Sequence, residues 1–214
     1  MTKTGWAALS LAVLGASAFT TAGAAPVRPE TAVFAGGCFW GVQAVFAHVN
    51  GVLSAESGYA GGSAETASYD RVSSGTTGHA EAVRVVFDPA KVTYAQLLEV
   101  FFTVAHDPTQ LNRQGPDVGT QYRSAVWYTT PAQKQAVEGY IARATKSGEH
   151  RRRIVTEVGP LEAFHAAEAY HQDYYFTHPN SAYIVYNDVP KVEALERRFP
   201  KLWRAKPSRI AARS

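Results

Sequence analysis

The chain carries one sulfhydryl among its 214 residues, Cys38, set in "AGGCFWGVQAVF" (35–46). A thiol becomes a strong nucleophile when its surroundings stabilise the thiolate. Directly after the cysteine, Phe39, Val42, Val45, Phe46 and Val49 recur at helical spacing. Cys38 is therefore expected at a helix N-terminus, where unpaired N–H groups and the helix dipole favour an anion. Gly36 and Gly37 permit a sharp turn and a close approach by substrate. Phe39 and Trp40 occupy adjacent helical positions and cannot both face the core, so at least one should line a pocket beside the sulfur. The competing reading is a small buried hydrophobe in a helix–sheet interface, a frequent fate of free cysteine. Glu81 opens the apolar run "EAVRVVFDP". An acid there is costly unless it is paired or used, or faces solvent from an edge strand. Asp117 and Tyr122 flank a glycine turn in "GPDVGTQY".

The elements that must hold these groups can be read from periodicity and punctuation. "TAVFAGG" reads as a buried strand ending in glycines, and Asn50-Gly51 stops the helix that begins at Cys38. "VLSAESGYAGG" is a strand and a glycine-rich loop, residues 63–80 are polar and loop-like, and "EAVRVVFDP" is a strand. "TYAQLLEVFFTVA" is an amphipathic helix with Thr93 as N-cap. "HDPTQLNRQGPDVGTQY" has no period, and loops of that length in compact domains are usually functional. "RSAVWYTT" is a strand, "PAQKQAVEGYIARATK" a helix opened by Pro131, and "IVTEV" a strand. "AFHAAEAYHQDYYFTH" begins as a helix and ends at Pro179, and "DVPKVEALERRF" is the last helix. Short strands mixed with helices, without repeats, predict a single α/β sandwich: one mixed sheet with helices packed against it.

Composition narrows the classes. Net charge is +3, hydrophobic residues make up 46%, and no basic stripe interleaved with aromatics points to nucleic acid. Residues 1–24 read as a secretory signal peptide: Lys3, a short apolar stretch, then Ala22-Gly23-Ala24 before the cut. Residues 25–200 then form the catalytic domain and 201–214 a basic, frayed tail. Export to the periplasm or the extracellular space is the expectation, with no membrane segment in the mature chain. Met1 is the sole methionine and leaves with the leader, which makes the mature chain immune to methionine oxidation. A single cysteine excludes an internal disulfide, and a lone thiol in an oxidising compartment shifts the balance toward use.

The segments "GGCFWG", "SGYAGG", "YDRVSSGTTGHAEAVRVVFDP", "HDPTQLNRQGPDVGTQYRSAVWY" and "AEAYHQDYY" occur in the order found in the A-type peptide methionine sulfoxide reductases. Together they cover most of residues 31–187, and the chain resembles that family. The resemblance implies a two-layer sandwich of ferredoxin-like plait type. It implies that Cys38 attacks the sulfoxide sulfur, that Glu81 donates a proton to its oxygen, and that Tyr69 and Tyr122 assist with their hydroxyls. Phe39 and Trp40 would form the cage for the methyl group, and Asp117 would help to orient the site. It implies the S epimer of methionine sulfoxide, free or in peptides, as substrate, a sulfenic acid at Cys38, and no cofactor or metal.

The chain departs from the pattern in one respect. Many members recycle through a second cysteine in a C-terminal tail, and some carry one where this chain has Ser73. Here "KLWRAKPSRIAARS" contains none. An external thiol, a thioredoxin-like protein or glutathione, must then reduce Cys38 directly, and a monomer suffices. Two other classes compete. An exported binding protein would spread its aromatics without a convergent acid. A Cys–His acyl-transfer enzyme would need a partner among His79, His106, His165 and His171, none of which lies in a recognisable motif. His165-x-x-Glu168-x-x-His171 lacks the i, i+4 histidine pair of zinc proteases.

Overall fold

A computed structural model describes residues 1–2 and 28–210; the leader reading lies outside the described residues. The chain runs β1 (Glu30–Gly36), α1 (Phe39–Ala47), β2 (Val52–Ala60), α2 (Tyr69–Val72), β3 (Ala80–Phe87) and α3 (Tyr94–Val100). It continues through β4 (Arg113–Gln114), β5 (Asp117–Val118), β6 (Ser124–Tyr128), α4 (Pro131–Ser147), β7 (Glu157–Pro160) and β8 (Phe164–Ala166). It closes with α5 (Tyr174–Thr177), a wider helical turn over Ile184–Asp188, and α6 (Val189–Arg198).

Six strands pair in the order β7-β6-β1-β3-β2-β8. Only β6 and β7 are parallel, joined by the α4 crossover. The inner four strands, with α1 and α3 between them, reproduce the β-α-β-β-α-β plait expected from the resemblance. β1 is central and buried from Ala32 to Gly36, which explains its unbroken run of apolar and small residues. On the helical face the Phe34 ring stacks between Phe46 at 5.0 Å and Phe101 at 4.8 Å. On the other face Ala35, Ala60, Ala80, Ala82 and Ala125 form a thin layer beneath Leu161 and Phe164.

Local signals fix several boundaries. Thr93 and Gln96 close a reciprocal capping box at α3, and Thr130 caps α4 ahead of Pro131. Gly148 ends α4 at φ +68°, a conformation a side chain would strain.

Five expectations are corrected. Residues 164–166 form an edge strand, not the start of a helix: Gly58–Ala60 offer an open backbone ladder, which outweighs the helical preference of the alanines. Phe164 also lies 4.7 Å beneath the Arg84 guanidinium. The loop-like stretch 63–80 contains α2, held by buried Val72, and the long loop after His106 contains the β4–β5 hairpin. The strand expected at 154–158 lies at Glu157–Pro160, in register with β6. The tail is bound rather than frayed through Ile210. Arg204 donates to the carbonyls of Ala47 (3.1 Å) and Val52 (2.8 Å), Ser208 N–H to Ala47 (2.8 Å), and Trp203 stacks on His48 at 4.5 Å. The carbonyls left open at the end of α1 draw it in. Among the described residues no helix is long and apolar enough to cross a membrane.

Candidate active site

Cys38 is the N-cap of α1 and is 8% exposed. The two preceding glycines are there for space. A Cβ on Gly36 would lie 2.8 Å from the His106 ring, and one on Gly37, at φ +87°, would lie 2.5 Å from the Gln114 side chain. The long loop thus presses directly beneath the turn that presents the sulfur. His106 contacts the Phe101 carbonyl through Nδ1 (2.9 Å) and Ser124 Oγ through Nε2 (2.7 Å). Burial lowers its pKa to about 4, so it is a neutral strut.

Glu81 lies on β3 opposite Tyr59 and is 4% exposed. Its Oε2 accepts the Phe39 N–H at 3.0 Å. Phe39 is the first residue of α1, so that N–H has no partner inside the helix. Burial raises the Glu81 carboxyl from an ordinary 4.5 to about 8; the Phe39 N–H opposes the rise and nearby Asp117 adds to it. Glu81 is therefore mainly a neutral acid at pH 7. The thiol departs from expectation. Burial, then Glu81, then Asp188 push its pKa well above the usual thiol value, outweighing the Trp40 N–H and Lys191. The helix N-terminus is present, but desolvation wins, and the resting sulfur is a protonated thiol.

Phe39 is buried between Tyr59 (5.9 Å) and His171 (5.1 Å). Trp40 is half-buried. Its indole stacks on Tyr174 at 3.8 Å, meets Tyr183 edge-on at 5.8 Å, and donates from Nε1 to His171 Nδ1 at 3.2 Å. Tyr69 begins α2 and Tyr122 ends the turn Thr120–Tyr122. Burial raises both phenols; Glu81 raises them next, and the charge of Cys38 is also felt at each, which places both hydroxyls around the sulfur and the acid. Asp117, on β5, accepts the Tyr183 hydroxyl.

All seven residues singled out in the sequence thus gather around Cys38 and Glu81. Tyr174, Tyr183 and His171 were missed as site residues, although two of them lie in the quoted "AEAYHQDYY". Asp188 was missed as well. It is wholly buried, pairs with Lys191 at 3.0 Å, and approaches so closely that a Cβ on Gly41 would lie 2.1 Å from its Oδ1. His165 does not join His171; its ring meets His79 at 5.6 Å. Among the described residues no group of three or more His, Cys, Asp or Glu is arranged to hold a metal.

Comparison with known proteins gives a consistent result. The family described as peptide methionine sulfoxide reductase matches residues 30–202. The peptide methionine sulfoxide reductase MsrA 2 of Mesorhizobium japonicum is 52% identical over 185 residues, 86% of this chain and 95% of that protein. Among solved structures, methionine sulfoxide reductase A of Corynebacterium diphtheriae aligns with a TM-score of 0.63 and 38% identity, over 73% of this chain and 77% of that one. Mxr1 of Saccharomyces cerevisiae in its reduced form aligns with a TM-score of 0.66 and 31% identity, over 73% and 90%. With its one cysteine capping a helix against a buried acid, the chain belongs to the peptide methionine sulfoxide reductase family, as an oxidoreductase of single-cysteine type.

Proposed function

We propose that the chain reduces methionine S-sulfoxide, free or within peptides, at the expense of an external thiol. The observation that carries this reading is the Glu81 carboxyl, raised to about 8 beside the one cysteine in the chain. A sulfoxide oxygen leaves poorly unless protonated, and a buried neutral carboxyl supplies the proton. Trp40 and Phe39 receive the methyl group, while Glu81, Tyr69 and Tyr122 address the oxygen. Reading both substituents at once reads the hand of the sulfur.

The atoms balance without a cofactor. Cys38 Sγ bonds to the sulfoxide sulfur, the oxygen takes the Glu81 proton, and the thiol proton replaces it on Glu81. The oxygen then passes to Cys38 as the new S–S bond breaks. Methionine leaves reduced, and Cys38 is oxidised to the sulfenic acid. One external thiol attacks that sulfur and releases water; a second resolves the mixed disulfide and restores the thiol. A thioredoxin-like dithiol or two molecules of glutathione can serve. A monomer is taken as the working unit. The apolar leader-like stretch before residue 25 supports export and repair of oxidised exported proteins, which cell fractionation and the mature N-terminus would test.

The test of the chemistry is a pulse of each sulfoxide epimer without reductant. About one methionine per Cys38 is expected from the S epimer, with a sulfenic acid found by intact mass and nothing released by Cys38→Ser. Release from the R epimer at an equal rate, or several methionines per Cys38, would overturn the scheme.

A further inference from the structure

The Glu168–His171 turn touches three different elements of the site. Glu168 Oε1 accepts the Tyr69 N–H at 2.9 Å, and Oε2 accepts the Tyr59 hydroxyl at 2.8 Å. Burial opposes its ionisation. The bonds from Tyr69 and Tyr59 outweigh that and hold the carboxyl below the usual range, so Glu168 is an anion. Tyr69 opens the four-residue α2, whose N-cap Ser68 makes no side-chain bond. The cap comes instead from Glu168, 99 residues away.

His171 is bound differently. Trp40 Nε1 can only donate, so His171 Nδ1 must be unprotonated and Nε2 carries the hydrogen. That Nε2 is buried and has no partner among the described residues, although the residue is only 2% exposed. A buried donor without an acceptor is costly. The ring nevertheless stays turned toward Trp40, against Phe39 at 5.1 Å and Tyr69 at 4.5 Å. The turn is also riveted from behind. Gln172 accepts from Ser57 N–H (3.0 Å) and donates to the Ser57 carbonyl (2.8 Å), and Asp173 N–H donates to Gln43 (3.0 Å). A rigid backbone lets one short segment set the angle of side chains on other elements.

We infer that Glu168 and His171 are positioning residues for the site: His171 fixes the plane of the Trp40 indole in the methyl cage, and Glu168 fixes Tyr69, which addresses the oxygen, through its backbone. The inference rests on the reading of Trp40 as a cage wall. His171 must be neutral to accept the indole N–H. Burial lowers its pKa from the ordinary 6.5, with Glu168 opposing, so it is neutral at pH 7. The ionisable groups facing it are Glu168 and Tyr170 on its own segment and Tyr69 on α2. Once protonated it would present N–H to N–H and release the wall.

The test is a double-mutant cycle on the full chain, with KM and the saturated single-turnover rate for methionine S-sulfoxide. His171→Phe keeps the ring volume and removes the acceptor. It should raise KM roughly two- to tenfold, the worth of one hydrogen bond, and leave the saturated rate within about twofold. In a Trp40→Phe background no indole N–H remains, so His171→Phe should add nothing further. Equal losses in both backgrounds, or a loss in rate without a rise in KM, would overturn the positioning role. An unchanged KM in Trp40→Phe alone would overturn both this role and the cage reading. Should His171→Phe fail to fold, acid titration supplies the same contrast. The unmodified chain should show KM rising as pH falls below 6.5, and Trp40→Phe should lack that rise; parallel rises would refute the inference.

Discussion

Replacing Glu81 by Gln separates the proton donor from the scaffold. The Gln carbonyl can still accept the Phe39 N–H that Glu81 accepts at 3.0 Å, so the N-terminus of α1 stays tied. What disappears is a carboxyl with a pKa of about 8, protonated in about nine molecules of ten at pH 7. General acid catalysis is worth about 10²–10⁴-fold, and the single-turnover rate of methionine release should fall by that factor. Rapid quench after mixing with S-sulfoxide, reductant omitted, measures it. The rate of the unmodified chain should decline as pH rises through about 8, and the variant should lose that limb. Stability should move the opposite way. A carboxyl whose folded pKa is raised contributes fully below 4.5, and that contribution is lost as pH rises through 8. The rise of about 3.5 units corresponds to roughly 5 kcal/mol. Glu81→Gln should therefore melt higher than the parent at pH 9 while turning over far more slowly. A rate loss below about tenfold, or an alkaline limb that survives the substitution, would move the proton source to Tyr69 or Tyr122.

Three further outcomes are expected. Gly41→Ala drives a methyl to 2.1 Å from Asp188 Oδ1 and should destabilise by about 1–3 kcal/mol in urea unfolding. His106 has its pKa lowered to about 4, so its contribution is complete above 6.5 and lost as pH falls through 4; the parent should lose roughly 3 kcal/mol more than His106→Phe over that window. Ending the chain at Leu202 removes the bonds of Arg204 and Ser208 to Ala47 and Val52, and should lower the unfolding free energy by about 2 kcal/mol or more.

The parts of this fold written in local chemistry were readable. Thr93, Pro131 and the glycines before Cys38 announce their own geometry, because each acts on backbone within four residues. Residues 164–166 were misread because a helix-favouring composition met an open sheet edge far away in sequence, and pairing with Gly58–Ala60 prevailed. The state of the sulfur was misread for a related reason. The helix N-terminus is local and visible, whereas what outweighs it, burial first and then the charges of Glu81 and Asp188, comes together only in three dimensions. Tyr183 carried no local signal either; its link to Asp117 spans 66 residues.

The protonated resting state of Cys38 has a consequence for selectivity. Peroxides and alkylating agents consume the thiolate form, and a deeply seated thiol with a raised pKa offers them little of it. Its one sulfhydryl is thus poorly available to such reagents. Discrimination between the intended sulfoxide and a bystander oxidant is made before any bond forms. A protonated, buried thiol is the form that any such reagent meets first.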